Sequence, residues 1–194
     1  MMRMLGRALW GVIGVFLFSS LPISSVLASN GASTQLTMTL VMRQSTCDVG
    51  LLTPSTINFP PMPLNALMTP GHVVYAGTQT VTLGLTNCAG SAMAGMTPAI
   101  QVLGTNPWPD DENIFRDEIS LAGGHVGFGL RYQPPSGAPG DYLKSGDYVD
   151  LGGVGDEVSN QTMNFQVDML RGSGGGSPTV GSLLANIRFM FTYH

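Results

Sequence analysis

Charge is what this sequence has least of. Only 10% of its residues are Asp, Glu, Lys or Arg, with 8 basic against 12 acidic side chains. The few Lys and Arg form no cluster, so the electrostatic footprint that a phosphate backbone requires is missing, and nucleic acid is not an expected partner. Histidine is equally sparse. His72, His125 and His194 form neither an HExxH pattern nor a close pair, and two cysteines alone cannot complete a metal site. Gly123-Gly124-His125-Val126-Gly127-Phe128-Gly129 is glycine-rich but lacks the Lys-Ser/Thr of a phosphate loop, which leaves it a turn leading into a strand. Asp110, Asp111, Glu112, Asp117 and Glu118 do not have calcium-loop spacing. The segment Trp108–Glu118 that holds them is expected to be a solvated acidic loop. No catalytic constellation is visible, so no enzyme activity, metal or cofactor is expected. Sustained helical periodicity is also absent beyond the first residues.

Long apolar runs are confined to the start. Arg3 and Arg7 precede Ala8–Phe18, Ser19, Ser20 and Pro22 break the run, and Val26-Leu27-Ala28 offers small residues at a cleavage site. This is the pattern of a secretory signal peptide over residues 1–28. The alternative, a membrane anchor, requires about 20 consecutive apolar residues, roughly twice what is present. With Arg3 and Arg7 removed, six basic residues face twelve acidic ones, a net charge of −6. An exported chain with only Cys47 and Cys88 most simply joins them in one disulfide. The residues lie 41 positions apart, and chain entropy assigns about 4 kcal/mol to closing a loop of that size.

What the sequence has in quantity is alternation. Leu36, Met38, Leu40 and Met42 alternate with Gln35, Thr37, Thr39, Val41 and Arg43 directly after the leader. Such period-two patterning marks a β-strand. It suits either an ordinary first strand or an extension that pairs with another subunit. Turn signals then separate short runs: Thr56–Phe59, Gln79–Thr86, Ala99–Leu103, Val126–Tyr132, Asp147–Leu151 and Met163–Leu170. Gly172–Pro178 reads as a flexible connection. The final ten residues carry Ala185, Ile187, Phe189, Phe191 and Tyr193 on one face, with His194 last. A strand that apolar is normally paired along both edges, so one edge is expected to await another segment. With Gly 26 and Pro 13 spaced among the runs, an all-β sandwich or barrel is expected.

In their order and spacing these pieces resemble the pilin subunits of chaperone–usher fimbriae, the type 1 pilin family. The resemblance rests on the alternating arm, on Cys47 with Ile57-Asn58-Phe59, and on Leu83-Gly84-Leu85-Thr86-Asn87-Cys88. It also rests on Val126-Gly127-Phe128-Gly129-Leu130, Asn164-Phe165-Gln166-Val167 and the end, with tyrosine next to last. Unlike many arms of that family, this one has no glycine inside the alternating run; the nearest is Gly31.

The resemblance implies an incomplete immunoglobulin-like sandwich that lacks its last strand. A periplasmic chaperone first fills the gap, and at the outer-membrane usher the arm of a neighbouring pilin subunit replaces it. It implies three segments: a signal peptide (1–28), a donor-strand extension (29–43) and a pilin domain (44–194). Leu36, Met38, Leu40 and Met42 would be the donor residues. Ala185, Ile187, Phe189, Phe191, Tyr193 and His194 would form the chaperone and donor-strand acceptor, with the His194 carboxylate held by basic chaperone residues. The destination is a fimbrium on the cell surface that supports adhesion. The alternative is a single-domain tip adhesin that binds a host glycan receptor through loops, with Trp108 and Tyr142 as candidate contacts. A two-domain adhesin is not expected, since Cys47 follows too soon after Ser29 to leave room for a lectin domain.

Thiol labelling of denatured, unreduced mature protein is expected to find no reactive cysteine, and two after reduction.

Overall fold

A computed structural model describes residues 46–71 and 73–194. The leader, the alternating arm and His72 lie outside the described residues. Among those described, eight strands form two antiparallel sheets, and no α-helix is present. The larger sheet has the order β1(Thr46–Leu51)-β2(Val73–Ala89)-β7(Gln161–Arg171)-β4(Val126–Gln133)-β5(Tyr142–Leu143). The smaller has the order β6(Tyr148–Asp150)-β3(Pro98–Gly104)-β8(Ile187–Tyr193). The all-β, immunoglobulin-like expectation therefore holds.

Alternation explains the core. In β2, Val81, Leu83 and Leu85 point inward; in β7, Met163, Phe165 and Val167 do the same. Strand β4 contributes Leu130, β3 contributes Ile100 and Val102, and β6 contributes Val149. The ring of Phe165 sits at the centre, with centroids 5.0 Å from Phe189 and 5.6 Å from Tyr132. A disulfide joins Cys47 in β1 to Cys88 in β2, beside a register shift between Thr46 and Asp48. Asn87, next to it, adopts a left-handed φ of 51° and donates to Asp48 at 2.8 Å. Asn tolerates that conformation because its short polar side chain bonds locally.

Several expected elements differ. Thr56–Phe59 is not a strand; it is irregular chain leading into Pro60-Pro61, which cannot donate to a ladder. Strand β2 begins six residues before Gln79 and absorbs the extra length through a register shift between Val74 and Gln79. The final strand starts at Ile187 rather than Ala185, because Asn186 is tied by its backbone and side chain to the Asp117 carboxylate. Trp108–Glu118 is not a solvated loop. Asp111, Ile114, Phe115 and Arg116 are buried, and Phe115 exchanges backbone hydrogen bonds with Phe128 at 2.7 and 3.0 Å. Nor is Gly172–Pro178 a free connection, since Ser173 and Gly174 are anchored on Asp111.

On the outer face of the large sheet, Asp168 of β7 is fully buried. It accepts hydrogen bonds from Thr78 and, at 2.7 Å, from the Tyr142 hydroxyl, and Arg131 Nε lies 3.1 Å away. A buried charge is tolerable only when so paired, and removing one member leaves the others uncompensated. Asp168→Ala is expected to lower stability by about 3–5 kcal/mol, measured by urea unfolding. A substitution at exposed Glu157 should change it by less than about 0.5 kcal/mol.

Candidate functional site: an apolar groove beside the last strand

Strand β8 follows the period-two rule, but its apolar side chains do not reach the burial of the neighbouring strand. Ala99, Ile100 and Val102 of β3 are fully enclosed, whereas Ile187, Phe189 and Phe191 are only half-buried. The cause is topological. Among the described residues β8 is hydrogen-bonded to β3 alone. Beyond its other edge runs a groove with a cavity of about 170 Å³. Val81, Phe128, Leu130 and Val167 of the large sheet form its floor. Ala185, Ile187 and Phe189 form one wall, and Leu51, Pro54, Ile57 and Phe59 the other. The chain that was expected to be a strand at Thr56–Phe59 is therefore this second wall.

At the Ile187 end the groove opens into a wider cavity of about 430 Å³ above the small cluster of Leu67, Ala122, Val126 and Met169. Arg171 fixes this end by donating to the carbonyls of Leu67 (3.0 Å) and Met68. Arg116 likewise donates to the carbonyls of Val126 (2.9 Å), Ser120 (3.2 Å) and Ala122. Each guanidinium gathers carbonyls from the loops and strand ends around it.

Asp111 is the third fixture. It accepts from His125 Nδ1 at 2.7 Å, from the Ser173 backbone N–H at 2.8 Å and hydroxyl at 3.0 Å, and from the Gly174 N–H at 3.3 Å. Trp108 stacks on His125 with centroids 4.3 Å apart. Burial works against the Asp111 charge, but the hydrogen bonds from His125, Ser173 and Gly174 outweigh it and hold the carboxyl below its usual range. The signal for this site was one carboxylate among five in an acidic stretch, and nothing local distinguished it.

The predicted acceptor residues are brought together in part. Ala185, Ile187 and Phe189 line the groove, and Phe191 packs on the core and meets Tyr193 edge-on at 5.5 Å. His194 turns to the other side, where it lies 2.8 Å from Asp150 and stacks on Tyr148 at 4.2 Å. The donor residues Leu36, Met38, Leu40 and Met42 lie outside the described residues. Trp108 and Tyr142 are both engaged, the first by His125 and Arg116, the second by Asp168. Among the described residues there is no group of three or more His, Cys, Asp or Glu side chains able to hold a metal ion, and no helix is long and apolar enough to cross a membrane.

No protein-family model matches the chain, and no curated protein matches it. Among solved structures it is similar to the crystal structure of the P pilus rod subunit PapA, with a TM-score of 0.50 and 16% identity. The match covers 84% of this chain and all of that one. At that identity the likeness is one of fold.

Because the Asp111 carboxyl is held low, its contribution to stability is present above the ordinary carboxylate range. It is lost as pH falls through that depressed value. The protection factors for hydrogen exchange at the Ser173 and Gly174 amides are expected to hold at pH 5 and to fall only well below pH 4. In Asp111→Ala that protection should be lost at every pH.

Proposed function

We propose that this chain is a structural subunit of a surface fimbria, assembled by a chaperone–usher route, and that neighbouring subunits join by donor-strand exchange. One observation carries the reading. Strand β8 presents a half-buried apolar face to a groove in which none of the described residues forms a strand. The likeness in fold to a pilus rod subunit supports it. So does the sequence, which supplies a segment of matching periodicity in Leu36, Met38, Leu40 and Met42. Seating those four side chains would contribute roughly 6–12 kcal/mol before the cost of ordering the arm. Strand addition would also satisfy the backbone groups along the edge of β8.

On this reading residues 1–28 direct export and are removed, and residues 29–43 are the donor arm. The periplasmic chaperone holds the groove until the usher exchanges it for the next subunit. The role is architectural rather than catalytic, and adhesion belongs to the assembled fibre. A single-domain adhesin has no comparable observation in its favour, because the rings of Trp108 and Tyr142 already have partners within the fold.

Fusing Ser29–Arg43 after His194 through a flexible linker tests the reading. The fused chain is expected to be monomeric, with a melting temperature higher by on the order of 10 °C or more than that of the unfused chain. Leu40→Asp within the fused arm should remove most of that gain, because an unpaired carboxylate in an apolar groove costs several kcal/mol. Equal melting temperatures for fused and unfused chains would reject the arm as donor.

A further inference from the structure

Two loops at the wide end of the groove are laced side by side. The Asp117 N–H donates to the Leu184 carbonyl at 2.8 Å, and the Leu121 and Ala122 N–H groups donate to Ser182 at 2.8 and 3.1 Å. Gly123 pairs with Thr179. The ribbon they form is anchored, yet it turns apolar side chains to the outside. Ile119 is 72% exposed, Leu121 76% and Val180 82%. Three such side chains within one hydrogen-bonded ribbon form an exposed apolar patch of the kind that marks an interaction surface. The patch is continuous with the groove, because Val180 and Leu184 also line the wide cavity.

We infer that this patch is a second contact between neighbouring subunits, and that it receives the body of the subunit whose arm fills the groove. The inference rests on the donor-strand reading and adds a surface to it. Every strand pairing in both sheets is antiparallel. An arm that pairs with β8 in the same sense runs toward Ile187 and leaves the groove at the ribbon. Only Arg43, Gln44 and Ser45 separate Met42 from Thr46, the first residue of β1. A fully extended link of that length spans at most about 14 Å. The donor's β1 must therefore begin within that distance of the groove mouth.

The chemistry of the two surfaces agrees. Thr46 pairs with Ala89, and the loop that follows, Ala89-Gly90-Ser91-Ala92-Met93-Ala94, carries no charged residue. Ala89 and Ala94 are exposed. An uncharged loop, small-sided except at Met93, can approach Ile119, Leu121 and Val180 without stranding a charge. The occupant is thus a second copy of this chain.

Ile119→Lys/Leu121→Lys tests the contact, since neither residue lines the groove. Two measurements are made on mature chain carrying the double substitution. The thermal shift produced by a synthetic peptide of residues 29–43 reads the groove alone. The rate at which polymers of the chain dissociate in denaturant reads the whole junction. The expected result is an unchanged peptide shift with dissociation at least tenfold faster. Ala94→Glu, on the facing loop, should speed dissociation in the same direction. Equal dissociation rates with an intact peptide shift would overturn the second contact and leave the donor-strand reading standing. A peptide shift lost only in the double variant would make the ribbon part of the groove and would also reject the proposal. No peptide shift on the unaltered chain would reject both readings.

Discussion

The structure turns on an imbalance between two sheets. A sheet of five strands presents an apolar face that a sheet of three cannot cover. Val81, Phe128, Leu130 and Val167 face inward across the large sheet, but β8 is the last strand opposite them, and the wall beyond it is irregular chain. Sandwich cores are normally about 10 Å thick and lined from both faces. Here one lane of that lining is supplied by no strand among the described residues. The half-burial of Ile187 and Phe189, the groove, and the irregular course of Leu52–Pro63 all follow from that shortfall.

A groove of this kind has to be held open by something other than its contents. Three buried charged side chains do this at the wide end, and each binds backbone groups, Asp111 together with the His125 ring. Arg116 and Arg171 gather loop carbonyls, and Asp111 gathers loop amides. The segments they hold lie beyond the strand ladders, so these hydrogen bonds set their course together with the small apolar cluster of Leu67, Ala122 and Val126. Asp168 plays a different part on the outer face, where it joins Thr78, Arg131 and Tyr142 across strands. A chain with so few charges thus places a large share of its buried ones where strand ladders end.

Most of the strands were legible from sequence because alternation is a local signal. Gln79–Thr86, Ala99–Leu103, Val126–Tyr132 and Met163–Leu170 all lie within observed strands. What was not legible depended on partners far away in the chain. Thr56–Phe59 has strand composition, but none of the described strands pairs with it, so it becomes a wall. Asp111 looks like any acidic loop residue until Ser173 and His125 are brought to it across 62 and 14 positions. The same contact turned a stretch of glycine and serine, which reads as free linker, into a fixed element. The shared face expected for Ala185, Ile187 and Phe189 lines the groove. The role given to His194 rests on its carboxylate rather than its ring, which stacks on Tyr148 on the opposite side.

The position of the disulfide has a mechanical meaning. Cys47 is the second residue of β1, and its partner lies in β2, which is paired on both sides in the larger sheet. Tension applied through the chain ahead of Thr46 would ordinarily peel an edge strand away one rung at a time. Here the pull meets a covalent bond after a single residue and passes directly to β2. There it is shared with β7 and, through β7, with β4. Strand β1, together with the groove wall that hangs from it, lies behind that bond and is shielded from the load.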